Sequence, residues 1–346
     1  MSKSDLSVVA THACGWPNLT QLENRDLICT YFNAPSHGLL EGDLICSAQI
    51  SGQKKWSKRS IVSKKPARGN RMHLAVGKAH NKDLLCFSSG FILEKRKFVG
   101  FAGKWLSRST DGGLNWTEEK DPSVPRKLRN CIPYGRIVSV GENKLAYSCY
   151  RSQGRGKPSE SWVCFSNDDG RTWDQFYKLG NNDSNEVALC PLSGSRILAA
   201  VRTHVDHHLK ICEFSLKTKR WYEKGAVTLP MQHPADLIHV GRNCLLMTYG
   251  LRNRGLMGLA ARISLNEGKT WLPPWTIHQC GQKAEDLGYP SSVSLDKYGN
   301  MLTAFYTDYE PTFGPRASRY RVLVKRWNIF EWMGLESQKI IEDGME

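Results

Sequence analysis

Three kinds of reactive side chain stand at the ends of predicted strand pairs. Asn185-Glu186-Val187-Ala188-Leu189 opens one apolar run, and Arg202-Thr203 closes its partner 16 residues after Glu186. A second pair ends in Thr248-Tyr249-Gly250-Leu251-Arg252-Asn253-Arg254-Gly255, and a third opens with Glu285-Asp286-Leu287-Gly288-Tyr289-Pro290-Ser291-Ser292. Arg71, with His73, and Tyr134-Gly135-Arg136 open two more. An arginine grips a carboxylate through two parallel hydrogen bonds. A tyrosine is a weak nucleophile until a neighbouring base takes its proton. Singly, Arg202 also suits a structural ion pair, and Tyr289 suits a core ring with a bonded hydroxyl. Together and in order, these residues predict a site for an anionic ligand.

The elements that must position them repeat. Apolar strand, short polar turn and apolar strand recur at Leu19 to Phe32, Leu74 to Phe87, Arg136 to Tyr150, Val187 to Arg202, Asp236 to Tyr249 and Ser292 to Tyr306. Their alternation and turn residues predict hairpins. A second pattern, Ser-x-Asp-x-Gly-x-x-Trp, occurs at Ser109 to Trp116 and Ser166 to Trp173, and at Ser264 to Trp271 with Asn266 in place of Asp. Asp or Asn bonds the backbone ahead of it and fixes a turn, Gly supplies a positive φ, and Trp buries a large ring. Trp56, Trp116, Trp173, Trp221, Trp271 and Trp327 are separated by 60, 57, 48, 50 and 56 residues. Hairpins and tryptophans agree on six repeats of propeller length. The expected fold is all-β, a six-bladed β-propeller with these hairpin turns, forming a single domain over residues 1–346. A β-sandwich or a β-helix is the alternative, and the β-helix repeat is shorter.

The chain of 346 residues is 40% apolar, enough for a substantial core. It contains no apolar run long enough to span a membrane. Met1-Ser2-Lys3-Ser4-Asp5 lacks the apolar core of a signal peptide. The eleven cysteines include no Cys-x-x-Cys pair and are read as buried free thiols. These features predict a cytoplasmic protein. The net charge of +15 predicts an acidic small ligand or glycan rather than nucleic acid, since no RNA-binding signature accompanies it. No cofactor or metal site is expected, and His204, Asp206, His207 and His208 are read as a polar loop.

The Ser-x-Asp-x-Gly-x-x-Trp turns resemble the Asp-boxes of the sialidase superfamily and its BNR-repeat relatives. The resemblance extends to the candidate residues over roughly Trp105 to Tyr309. In that family a Glu opens a blade, an Arg closes the same hairpin, a second Arg precedes the next Asp-box, and a Tyr opens the last blade. Glu186, Arg202, Arg254 or Arg252, and Tyr289 take those places in order, with Asp286 in the Asp-x-Gly-Tyr-Pro-Ser run. The resemblance implies a retaining exo-alpha-sialidase-type hydrolase acting on a sialoside-like acidic glycan. Tyr289 would be the nucleophile, Glu186 its base, and the arginines the carboxylate clamp; sialidases are the tyrosine exception among glycosidases.

Two family positions differ. The first arginine, in a Phe-Arg-Ile-Pro run, is matched by Cys14-Gly15-Trp16-Pro17, and Gly15 holds its place. The acid/base aspartate falls in Ser36-His37-Gly38-Leu39-Leu40-Glu41-Gly42-Asp43, which offers His37, Glu41 and Asp43. An exposed loop His can move protons near neutral pH, so His37 and Asp43 both stay candidates. Arg71 and Arg136 are the basic groups expected to compensate at the ligand. Two other functions fit the pattern: a uronate polysaccharide lyase, and a glycan-binding propeller without catalysis.

Overall fold

The computed structural model describes residues 5–36, 38–152, 158–180, 183–313 and 320–333. Alternating apolar runs become antiparallel strands joined by short turns. In chain order these are β1 (Leu6–Thr11), then β2 to β5 (Asn18–Gln21, Leu27–Asn33, Asp43–Gln49, Ser57–Ser63), then β6 and β7 (His73–Lys78, Leu84–Ser89). A separate hairpin follows, β8 and β9 (Phe91–Glu94, Lys97–Phe101), before β10 and β11 (Trp105–Ser109, Thr117–Glu119). Next come β12 to β15 (Ile132–Gly141, Lys144–Arg151, Glu160–Ser166, Gln175–Lys178) and β16 to β19 (Ser184–Leu192, Arg196–Thr203, Leu209–Ser215, Arg220–Ala226). The chain continues with β20 to β23 (Gln232–His239, Leu245–Leu251, Gly258–Ser264, Trp275–Gln279) and β24 to β26 (Leu287–Ser294, Asn300–Thr307, Arg321–Asn328).

The strands pair as consecutive four-stranded meanders, β2 to β5, β16 to β19 and β20 to β23 among them. The meanders β6-β7-β10-β11 and β12 to β15 join into one eight-stranded sheet, because β6 and β12 pair in parallel at Ala75 and Gly135. The β8–β9 hairpin lies outside this sheet and accounts for the long Trp56 to Trp116 interval. The last meander is completed from the other end of the chain: β1 pairs antiparallel with β26, Leu6 opposite Lys325. All the predicted hairpins are present as strand pairs. The cysteines are buried and free, and no helix among the described residues is long and apolar enough to cross a membrane.

The recurring turns show why their residues are needed. Ser109 Oγ donates to Asp111 Oδ1 at 2.8 Å, Gly113 N donates to Ser109 Oγ at 2.8 Å, and the N–H groups of Leu114 and Asn115 reach Asp111 Oδ1 at 3.0 and 2.9 Å. Ser166, Asp168 and Gly170 repeat this pattern, and so do Ser264, Asn266 and Gly268. Asn266 keeps the acceptor oxygen, so it keeps the geometry. The glycines have φ of 87°, 81° and 81°, and a Cβ on Gly170 would lie 2.5 Å from Leu85 Cδ1. Leu85 belongs to β7, in the preceding meander. Gly268 meets Leu198 of β17 and Gly113 meets Cys46 of β4 in the same way. Each turn is therefore a staple onto its neighbour. Trp173, fully buried, locks its turn against Phe87 and Tyr147, with ring centroids 5.2 and 5.0 Å away. Trp327 differs: it lies within β26 and donates from Nε1 to Thr303 Oγ1 at 2.9 Å.

The first strands of the meanders meet on side-chain bonds. Asn18 of β2 donates to Gly135 O of β12 at 2.9 Å, and Leu19 N of β2 donates to Ser291 Oγ of β24 at 2.9 Å. Arg136 of β12 binds both carboxylate oxygens of Asp236 on β20, at 2.7 and 2.8 Å. It also donates to Leu19 O, Ser291 Oγ and Ser292 O.

Two outcomes follow from these staples. Trp173→Ala is expected to lose about 3–5 kcal/mol in denaturant unfolding; a loss below about 1 kcal/mol would contradict the stapling role. Asp111 gives a pH test. Burial opposes its charge, but the hydrogen bonds from Asn115, Ser109 and Leu114 outweigh that and lower its pKa from 3.8 to about 2. A depressed folded pKa stabilises above the unfolded value, and the benefit disappears as pH falls through the folded one. The melting-temperature advantage of the wild type over Asp111→Asn should therefore shrink between about pH 4 and about pH 2, whereas a pH-independent difference would refute the charge contribution.

Candidate active site

Tyr289 sits at the start of β24 with φ of 52°, a left-handed conformation rare for a bulky residue. The register of β24 against β25 shifts between Gly288 and Ser291, so the strand kinks where the tyrosine projects. Rings hold it on several sides: Tyr306 stacks at 5.8 Å, Trp16 meets it edge-on at 5.5 Å, and Tyr134 lies at 6.2 Å. The Tyr289 hydroxyl donates to Glu186 Oε1 at 2.5 Å. The other oxygen of Glu186 accepts from Arg202 Nη1 at 2.6 Å. Glu186 is 4% exposed and Tyr289 7%, so this chain of contacts is held in a dry setting.

The phenol resists ionisation there. Burial first, and then the neighbouring Glu186, push the Tyr289 pKa well above its ordinary value of 10, although Arg202 and Arg252 pull the other way. The free site thus holds a protonated phenol bonded to a carboxylate.

Arg252 stands over the other side, its guanidinium carbon 5.8 Å from the Tyr289 ring. It is fixed by Asp286 Oδ1 at 3.0 Å, Leu287 O at 2.5 Å and the Tyr306 hydroxyl at 3.1 Å. Asp286 also accepts from the hydroxyls of Tyr306 and Tyr320, at 2.9 and 3.0 Å. It is a support for Arg252 and Tyr306. The Nε atoms of Arg202 and Arg252 have no partner among the described residues.

Of the residues expected from sequence, Glu186, Arg202, Arg252 and Tyr289 come together, with Asp286 behind them. Arg254 does not join them: it is exposed on the loop past β21, and Arg252 takes the place left open between the two. Arg136 is not free for a ligand, because Asp236 and the strand carbonyls engage it. Arg71 is fully buried, donates to Gly103 O and Ala102 O at 2.8 and 2.9 Å, and lies 3.3 Å from the Trp105 ring centroid. Burial pushes its pKa down to about 9. Both arginines, expected at the ligand, are structural struts, since protein acceptors and rings already surround them. Asp43 begins β4 and accepts from Lys65 N at 2.7 Å, and Glu41 pairs with Lys65 Nζ at 2.5 Å. His37 lies outside the described residues.

Sequence reasoning missed two things. Where the family arginine is absent, Trp16 follows Gly15 and places its ring against Tyr289; the Cys-Gly-Trp-Pro run carried that signal. The histidine loop is also more than polar cover. Asp206 and His208 do bond one another at 2.5 Å, but His207 turns to His233, whose ring centroid is 5.4 Å away.

The structure is thus an all-β array of four-stranded meanders with a Tyr–Glu pair between two arginines. Residues 25–301 match the family described as BNR repeat-like domain, and the chain belongs to that family. A protein of unknown function from Dyadobacter fermentans is 20% identical, with a TM-score of 0.77, 95% of this chain covered and 99% of that one. The Hadza microbial sialidase Hz136 is 15% identical, with a TM-score of 0.71 over 93% of this chain and 66% of that one. The intramolecular trans-sialidase of Ruminococcus gnavus, solved with oseltamivir carboxylate, is 10% identical, with a TM-score of 0.67 over 96% and 99%. These likenesses establish the fold. No curated protein matches.

The protonated state of Tyr289 is directly measurable. In an ultraviolet pH titration, ordinary tyrosines ionise near pH 10. Wild type and Tyr289→Phe should give the same phenolate absorbance up to about pH 11. A signal smaller by one tyrosine in the variant would mean that Tyr289 ionises freely.

Proposed function

We propose that the protein is a retaining glycoside hydrolase acting on an acidic sugar, of exo-alpha-sialidase type. The meanders are then the six blades of one propeller domain, with β2, β6, β12, β16, β20 and β24 around its axis. The observation that carries the reading is the Tyr289 hydroxyl bonded to Glu186 at 2.5 Å between the guanidinium groups of Arg202 and Arg252.

In this reading the arginines hold the substrate carboxylate and set the anomeric carbon above the Tyr289 oxygen. The phenol oxygen forms a bond to that carbon as its proton passes to Glu186. The bond from the carbon to the leaving oxygen breaks, and a general acid protonates that oxygen; His37 and Asp43 are the sequence candidates for that acid. Water then attacks the tyrosyl-linked sugar and gives its proton to the conjugate base of that general acid, while the bond from the carbon to the phenol oxygen breaks and Glu186 returns the proton to Tyr289. A neutral nucleophile avoids the repulsion that a carboxylate would meet at an acidic sugar. The overall charge of +15 favours the approach of such a substrate.

The test is hydrolysis of a fluorogenic sialoside and a fluorogenic glucuronide. On whichever substrate is cleaved, Tyr289→Phe should lower kcat/KM at least ~10³-fold, and Arg252→Ala about 10²-fold, as befits the loss of groups acting on the transition state. Arg254→Ala should stay within about twofold, as surface substitutions do. Cleavage retained in Tyr289→Phe would end the mechanism. An ultraviolet-absorbing unsaturated product from a uronate polymer would instead establish a lyase.

A further inference from the structure

His233 is the second residue of β20 and only 1% exposed. Neither Nδ1 nor Nε2 has a partner among the described residues. Buried polar groups in folded proteins are nearly always bonded, so a ring with both nitrogens open among the described residues is able to take a further partner. Burial, the charges of Arg202 and Arg252, and His207 together press its pKa far below the usual histidine value. The ring is therefore neutral, with one nitrogen donating and the other accepting.

The surroundings narrow what that partner can be. The same two arginines bracket Tyr289 and Glu186, and their Nε atoms are also unpartnered. The half-buried His207 ring lies 5.4 Å from His233, and His204 lies 6.2 Å beyond His207. A carboxylate offers acceptors only, which suits the arginines but leaves the accepting nitrogen of a neutral imidazole without a donor. The oxygens of a sulfate or a phosphate diester likewise only accept, and leave that nitrogen without a donor. A hydroxyl both donates and accepts, and so matches the ring.

We propose that His233, with His207 packed against it, is a hydroxyl-reading subsite next to the Arg202–Arg252 pair, selecting an acidic sugar that presents a free hydroxyl to the histidines while its carboxylate meets the arginines. The proposal rests on the acidic-sugar reading of the site given above. His233 is here a specificity-determining residue, and Tyr289 and Glu186 remain the reacting pair.

The experiment is a long-range proton–nitrogen spectrum of the full chain labelled with ¹⁵N-histidine, titrated with N-acetylneuraminate, glucuronate, galactose and acetate. The ring-nitrogen signals of His233 and His207 should move with an acidic sugar and stay in place with acetate or galactose. His233→Phe, which fills the space without nitrogens, should weaken acidic-sugar binding about tenfold or more and leave acetate binding unchanged; each tenfold corresponds to about 1.4 kcal/mol. If an acidic sugar binds and Arg202→Ala abolishes binding, yet the histidine signals stay still, His233 is structural and only the subsite falls. Signals that move equally with acetate would make it a plain anion site and overturn the hydroxyl reading. If no acidic sugar binds the wild type, the functional reading falls and the subsite with it. The wild-type spectra decide the matter even if His233→Phe does not fold.

Discussion

A single guanidinium ties four strands that are far apart in sequence. Arg136, on the first strand of one meander, takes both oxygens of Asp236 from a second, Leu19 O from a third, and Ser291 Oγ and Ser292 O from a fourth. Asp236 returns the connection by accepting from Ser292 N at 2.7 Å. A planar, permanently charged fork suits such a junction, because several acceptors can surround it in fixed directions. Its charge is compensated by Asp236, whose side chain is only 7% exposed, so neither partner is left alone in a dry centre. The meanders cannot slide past one another without breaking this junction, and the strands carrying Glu186 and Tyr289 are set relative to it.

The site uses the same economy of buried charge. Glu186 lies on β16 and Tyr289 on β24, 103 residues apart, yet their oxygens are 2.5 Å from one another. Arg202, at the far end of the Glu186 hairpin, neutralises the carboxylate from the side opposite the phenol. Asp286 plays the matching part for Arg252. Arg202 and Arg252 thus each have a carboxylate that holds the guanidinium in place, and each Nε has no partner among the described residues. Arg71 and Arg136 serve the fold instead: Asp236 and strand carbonyls take up Arg136, and two loop carbonyls and the Trp105 ring hold the fully buried Arg71.

Local pattern made much of this legible. The Ser-x-Asp-x-Gly-x-x-Trp turns depend on bonds within eight residues, so the three copies could be read directly, as could the hairpins, whose strands are neighbours in the chain. The order Glu186, Arg202, Tyr289 was legible because each sits at a strand end that the turn pattern locates. Other parts were not. The choice of Arg252 over Arg254 depends on where the loop past β21 lets each side chain point. The completion of the last meander by β1 joins residues more than three hundred positions apart, and no local period reports it. The partnership of His207 and His233 arises because the loop after β17 folds toward the start of β20.

The sequence by itself determined the strands, their turns, the repeat and the reactive side chains at the strand ends, since each of these depends on neighbours along the chain and on alternation of burial. Only the tertiary structure decided what each charged residue meets. An arginine in sequence carries five donors and no record of what they will meet. Whether it becomes a strut like Arg136 or stands beside the Tyr289–Glu186 pair like Arg202 is settled by the acceptors that folding brings to it, under a burial cost that disfavours an uncompensated charge.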